Sequence, residues 1–109
     1  MSYEYRLVFD DATTAQHVIG VVEASSACIR AESGDVYLKD KFLNSRAEYD
    51  ARLTYEGKTS LWLQVNFKSM DLYALVQKAL SGRHFRCLED GDEGDEVELN
   101  EAFRIKSSL

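Results

Sequence analysis

Between residues 89 and 101 the chain carries eight acids and no base: Glu89, Asp90, Asp92, Glu93, Asp95, Glu96, Glu98 and Glu101. Carboxylates packed this densely can hold a hard cation, meet a cationic protein surface, or simply keep a loop solvated. The calcium pattern can be checked by spacing. With Asp90 at position 1 of a twelve-residue loop, Asp92, Val97 and Glu101 fall at positions 3, 8 and 12, as such a loop requires. Position 5 is then Gly94 and position 6 is Asp95, where an oxygen ligand and a turn glycine belong. No amphipathic helix leads into the segment either. No metal site is therefore expected.

The remaining candidates for chemistry are sparse. His17 and His84 have no second His or Cys three or four residues away, so zinc would need ligands gathered entirely from afar. His84 and Cys87 would point to opposite faces of a strand, and Cys28 has no base nearby in sequence. No GxSxG turn, GxxxxGK[ST] loop or GxGxxG fingerprint occurs, and Gly91 and Gly94 sit among acids that repel phosphate. The expectation is no catalytic residue, no cofactor and no enzyme.

The elements that must carry the acidic segment can be read from periodicity. Tyr3, Tyr5, Leu7 and Phe9 alternate with polar partners as in a half-buried strand. Thr13 and Gln16 have the spacing of a capping box, and Ala15, Val18, Ile19 and Val22 give the following helix one apolar face. Strands at 27–30 and 36–38 flank the turn residues Ser33, Gly34 and Asp35. Residues 39–50 are polar without a period and read as a loop or one short helix. A clearer hairpin follows. Ala51, Leu53 and Tyr55 precede the turn Glu56-Gly57-Lys58, and Leu61, Leu63, Val65 and Phe67 line one face of the return strand. Trp62 points to the other face with Gln64 and Asn66.

Ser69 is a good N-cap for a second helix, whose stripe is Leu72, Leu75, Val76, Ala79 and Leu80 and whose C-terminal glycine is Gly82. His84 to Leu88 reads as a strand, and Phe103 with Ile105 predicts a last short one. Val97, Leu99 and Phe103 would tie the acidic run to the sheet. The result is one α+β domain over residues 1–109, a mostly antiparallel sheet of six or seven strands with two helices on one face. The order also fits a ferredoxin-like core with an inserted hairpin.

Composition agrees with one domain: 109 residues, 45% hydrophobic and 29% charged, too few for two cores. The formal charge is -6, from 19 acids and 13 bases. Without residues 89–101 the chain has 11 acids against the same 13 bases, so its acidity is local. That balance argues against nucleic acid as a partner and for a basic protein. The N-terminus lacks the basic and apolar regions of a signal peptide, and no apolar run could span a bilayer. Two distant cysteines form no disulfide framework, so both are expected reduced and largely buried in a cytoplasmic protein without membrane contact. The oligomeric state is left open.

Two stretches, SLWLQVNFKSMDLYALVQKAL (60–80) and CLEDGDEGDEVELNEAFRI (87–105), give the chain a resemblance to immunity proteins of bacterial polymorphic-toxin systems, of the contact-dependent inhibition or type VI secretion type. The resemblance lies in size and strand–helix organisation. It implies specific inhibition of a cognate toxin domain, often a nuclease with a basic cleft, by acids that occupy or border that cleft. Such families share no fixed motif, and no single residue role carries over. The expectation is a non-enzymatic toxin inhibitor that binds through an acidic surface. Glu89, Asp90, Asp92, Glu93, Asp95, Glu96 and Glu98 would make its charge contacts, with Trp62 as an apolar anchor. The alternative is a small regulatory or ligand-binding domain with a pocket between helix and sheet. A third reading is a structural subunit that pairs through its sheet edge.

Overall fold

A computed structural model describes residues 3–43 and 45–105. The chain runs β1 (Tyr3–Phe9), α1 (Ala12–Glu23), β2 (Cys28–Glu32), β3 (Asp35–Leu38), β4 (Ala51–Tyr55), β5 (Ser60–Val65), α2 (Met70–Leu80), β6 (Phe85–Glu89), β7 (Glu96–Val97) and α3 (Leu99–Ala102). All seven strands join one antiparallel sheet in the order β2-β3-β4-β5-β1-β6-β7. After β1 the chain crosses by α1 to the far edge and meanders back through four strands to lie beside β1 again. It then crosses by α2 to the other side of β1. Strands β4, β5, β1 and β6 keep the order of a ferredoxin-like core, extended at one edge by the β2–β3 hairpin. Ser33 and Gly34 both have positive φ, 52° and 85°, as a two-residue type I′ hairpin turn needs.

The helices occupy the face to which β1, β3, β4 and β5 direct their buried apolar side chains. Leu7, Leu38, Leu53, Leu61 and Leu63 have no solvent exposure, and Ala15, Val18 and Val22 of α1 and Leu72, Val76 and Ala79 of α2 close over them. Each buried Leu or Val among them contributes roughly 1.5–3 kcal/mol. Ser69 caps α2 as its position predicts, its hydroxyl accepting from the Leu72 amide, and Gly82 follows with φ of 74°.

Three local expectations are corrected. The first helix starts one residue before Thr13, and its N-cap is Asp11, whose carboxylate accepts from the Thr14 amide at 2.7 Å. That bond from the Thr14 backbone, with a smaller contribution from the Thr14 side chain, holds the Asp11 carboxyl below its usual range. Phe67 lies beyond β5 and is exposed, because β5 ends at Val65 opposite Tyr3 and Ala51. The C-terminal strand is instead the single helical turn α3. There Leu99, Ala102 and Phe103 at i, i+3 and i+4 face the core, while Ile105 is half-buried. Residues 39–50 form a loop, of which residue 44 lies outside the described residues. Of the two cysteines Cys87 is buried, but Cys28 at the sheet edge is only half-buried.

Candidate functional site

With the helices on one side, the opposite side of the sheet is left open, and registry arranges its side chains in rows. One row crosses the strands as Arg30, Tyr37, Arg52, Gln64 and Glu4. The next runs Asp35, Thr54, Trp62, Arg6, Leu88 and Glu96. Trp62 therefore stands at the centre of the open face, as its place in the alternation predicts. It is half-buried, its Nε1 donating to Glu4 Oε1 at 2.8 Å and the Arg6 guanidinium lying 5.5 Å from its ring centroid. Arg6 is itself held by Glu56, with Nε to Oε1 at 2.6 Å.

The acidic segment is fastened to this face at both ends. The Asp90 amide donates to the Glu4 carbonyl at 2.9 Å, and the Glu89 amide donates to the Asp95 carbonyl at 2.9 Å. Asp90 and Gly91 turn the chain with φ of 54° and 75°, and the Asp92 carboxylate accepts from the Gly94 amide. Gly91 packs directly on Trp62 and Arg6. A Cβ there would come within 3.2 Å of the indole and 3.3 Å of the guanidinium carbon. Leu88, opposite Arg6 in the register, is fully buried on this side. Gly91→Ala is expected to cost about 1–2 kcal/mol, from the left-handed backbone and the contact together. The check is thermal unfolding followed by the fluorescence of Trp62, the chain's one tryptophan, which should also shift in the folded state.

The structure brings Trp62 and the acidic segment together, which the sequence named separately. All of Glu89, Asp90, Asp92, Glu93, Asp95, Glu96, Glu98 and Glu101 are exposed. The segment is not without a counter-charge. Arg86 of β6 reaches Glu96 Oε1 at 3.0 Å and Glu93 Oε2 at 3.1 Å, and these hydrogen bonds, Glu96 first, raise its pKa. Among the described residues the other six acids have no ion pair. Glu98 stands at the N-cap of α3 without a side-chain capping bond. Among the described residues no three His, Cys, Asp or Glu side chains converge to hold a metal.

The histidines and cysteines do not assemble. His17 is exposed on α1, and His84 pairs at the surface with Asp10, Nδ1 to Oδ2 at 3.1 Å. Burial pushes the Cys87 thiol up to about 12, with the Glu101, Glu96 and Glu89 charges adding to it. A thiol so shifted stays protonated at neutral pH and is a poor nucleophile. Cys87 lies at the floor of a 740 Å³ cleft between the C-terminal half of α2 and the β7–α3 segment, where Tyr73, Phe85 and Leu99 supply apolar walls and Lys78, Glu96 and Glu98 the rim.

Two features went unforeseen. Arg52 sits between Tyr37 and Gln64 with its Nε buried and unpartnered among the described residues. Its place on the open face was legible from the alternation of β4, but its lack of a partner was not. The second is a buried polar cluster under residues 39–50. Asp50, without solvent exposure, accepts from the Asp40 amide and the Ser45 hydroxyl, and Asp40 accepts from the Ser69 hydroxyl. Compared with known proteins, the chain matches no family model, no curated protein and no solved structure.

Proposed function

We propose that the protein is a non-enzymatic inhibitor that binds a basic protein surface, in the manner of an immunity protein neutralising a toxin domain. One observation carries the reading. The acidic segment is a short loop tied at both ends to the sheet, beside a half-buried tryptophan, with six carboxylates unpaired among the described residues. Ordering such charges in advance lowers the cost of presenting them to a cationic partner and speeds encounter. Trp62 offers the aromatic contact that interface cores favour. A nuclease domain with a basic substrate cleft has the complementary chemistry, and a carboxylate array placed there would exclude its substrate. No helix among the described residues is long and apolar enough to cross a membrane, and a cytoplasmic site of action belongs to the same proposal.

The test is rescue. If a toxin-like gene adjoins the gene for this chain, cells producing its terminal domain should survive only when this chain is co-produced. Asp92→Lys combined with Glu93→Lys should weaken binding to that domain by about tenfold to a hundredfold and flatten its salt dependence. Unchanged binding with those two substitutions would exclude the acidic loop as the contact. A second reading, a ligand-binding regulatory domain, is favoured by the cleft beside α2. It requires no toxin and predicts no rescue.

A further inference from the structure

The open face has a charge order that the inhibitor reading does not use. The row Arg30, Tyr37, Arg52, Gln64, Glu4 continues to Asp90, whose amide bonds the Glu4 carbonyl. It starts at guanidinium groups and ends at the acidic loop. Three arginines of this face have carboxylate partners: Arg6 with Glu56, Arg30 with Glu32 and Glu48, and Arg86 with Glu93 and Glu96. Arg52 has none among the described residues, and its Nε is buried without an acceptor. A half-buried guanidinium without a carboxylate partner gains a charge-assisted bond when a carboxylate from outside reaches its accessible edge.

We propose that this face docks a second copy of the chain, the two copies related by a two-fold axis parallel to the strands. Such an axis reverses the row across the sheet while preserving position along the strands. Placed between β5 and β1, it sets β4 of one copy over β6 of the other, because β4 and β6 lie on opposite sides of that line. Arg52 of each copy then meets the loop carboxylates of its mate, and the Trp62 side chains lie near the axis. Self-complementarity of this sort is what a closed two-fold dimer requires. Seven strands at about 4.8 Å spacing make the face about 29 Å wide, room enough for an ordinary two-fold contact. Dimer formation and capture of a foreign basic surface use the same loop, so each excludes the other.

Sedimentation equilibrium of the intact chain tests this. The wild type, 12.4 kDa as a single chain, should approach twice that mass as concentration rises, and should dissociate as salt is added. Arg52→Glu should weaken association at least about tenfold, as should Asp92→Lys with Glu93→Lys, and the three together should restore it. Circular dichroism verifies folding, with Arg52→Gln replacing Arg52→Glu if the latter does not fold. A wild type that stays monomeric to about 1 mM overturns the proposal. So does a dimer indifferent to Arg52, or a triple variant that remains dissociated.

Discussion

Phe103→Ala is expected to destabilise the protein by about 3–5 kcal/mol, whereas Ile105→Ala should cost well under half as much. Phe103 has no solvent exposure, packs its ring 5.8 Å from that of Tyr73, and closes the core where α2, α3 and β1 meet. Ile105 only borders that core. Its role is mostly main-chain, its amide donating to the Asn100 carbonyl and its carbonyl accepting from the Asn100 side chain. Removing the Phe103 ring leaves a cavity that a single helical turn cannot fill by itself. At roughly 4–8 °C per kcal/mol for a domain of this size, the melting temperature should fall by at least 12 °C. The comparison of the two variants is sharper than either alone. On a strand the two side chains would share a face and cost similar amounts, so equal losses would refute the helical turn.

That contrast also explains where the sequence was legible. Where a strand alternates over five or more residues, as in β1, β4 and β5, the buried face agreed with expectation, Phe67 past the end of β5 excepted. Burial of one face is what produces the pattern there. The C-terminal segment failed because two periods overlap in it. Val97, Leu99, Phe103 and Ile105 suit alternation, while Leu99, Ala102 and Phe103 suit a helix, and the small Ala102 gave the second pattern little weight. The β2–β3 turn was legible from Ser33-Gly34-Asp35 chiefly through Gly34, because positive φ selects glycine. The start of α1 misled because Thr13 and Gln16 have capping-box spacing, but Asp11 lies in extended geometry two residues earlier and takes the Thr14 amide.

The candidate site was readable in composition and not in placement. Clustered acids and a polar-sided tryptophan are visible one-dimensionally. What joins them is the β1–β6 register, which sets Leu88 opposite Arg6, and the tight passage of Gly91 over the indole. Arg86 was invisible as a counter-charge because it lies outside the acidic run and pairs with it only across the β6–β7 turn. Cross-strand neighbours ten residues apart are a product of the turn, and no local pattern encodes them.

The loop at 39–50 poses the same problem in its strongest form, and Asp50→Ala is the variant that exposes it. Asp50 is a carboxylate with no solvent exposure, in a segment whose sequence reads as ordinary polar loop. Its Oδ2 takes the Asp40 amide at 2.9 Å, and its Oδ1 takes the Ser45 hydroxyl and lies 3.6 Å from Lys39 Nζ. Lys39 in turn donates to the Ser45 and Ala47 carbonyls, and Asp40 ties the loop to Ser69 at the start of α2. Deleting the carboxylate strands the buried Asp40 amide and the Ser45 hydroxyl and takes the counter-charge from Lys39, and losses of about 3–5 kcal/mol follow from that kind of break. Asp50→Asn preserves the shape but puts an NH2 where a donor already points, so it should recover only part of the loss. Urea unfolding measures both, and hydrogen exchange at the Asp40 amide should quicken in each. Asp92→Ala, which removes an equal charge from the exposed loop, is the control and should leave the midpoint nearly unmoved. If Asp50→Ala costs less than about 1 kcal/mol, the cluster does not fasten the loop to α2, and loop order must come from packing alone.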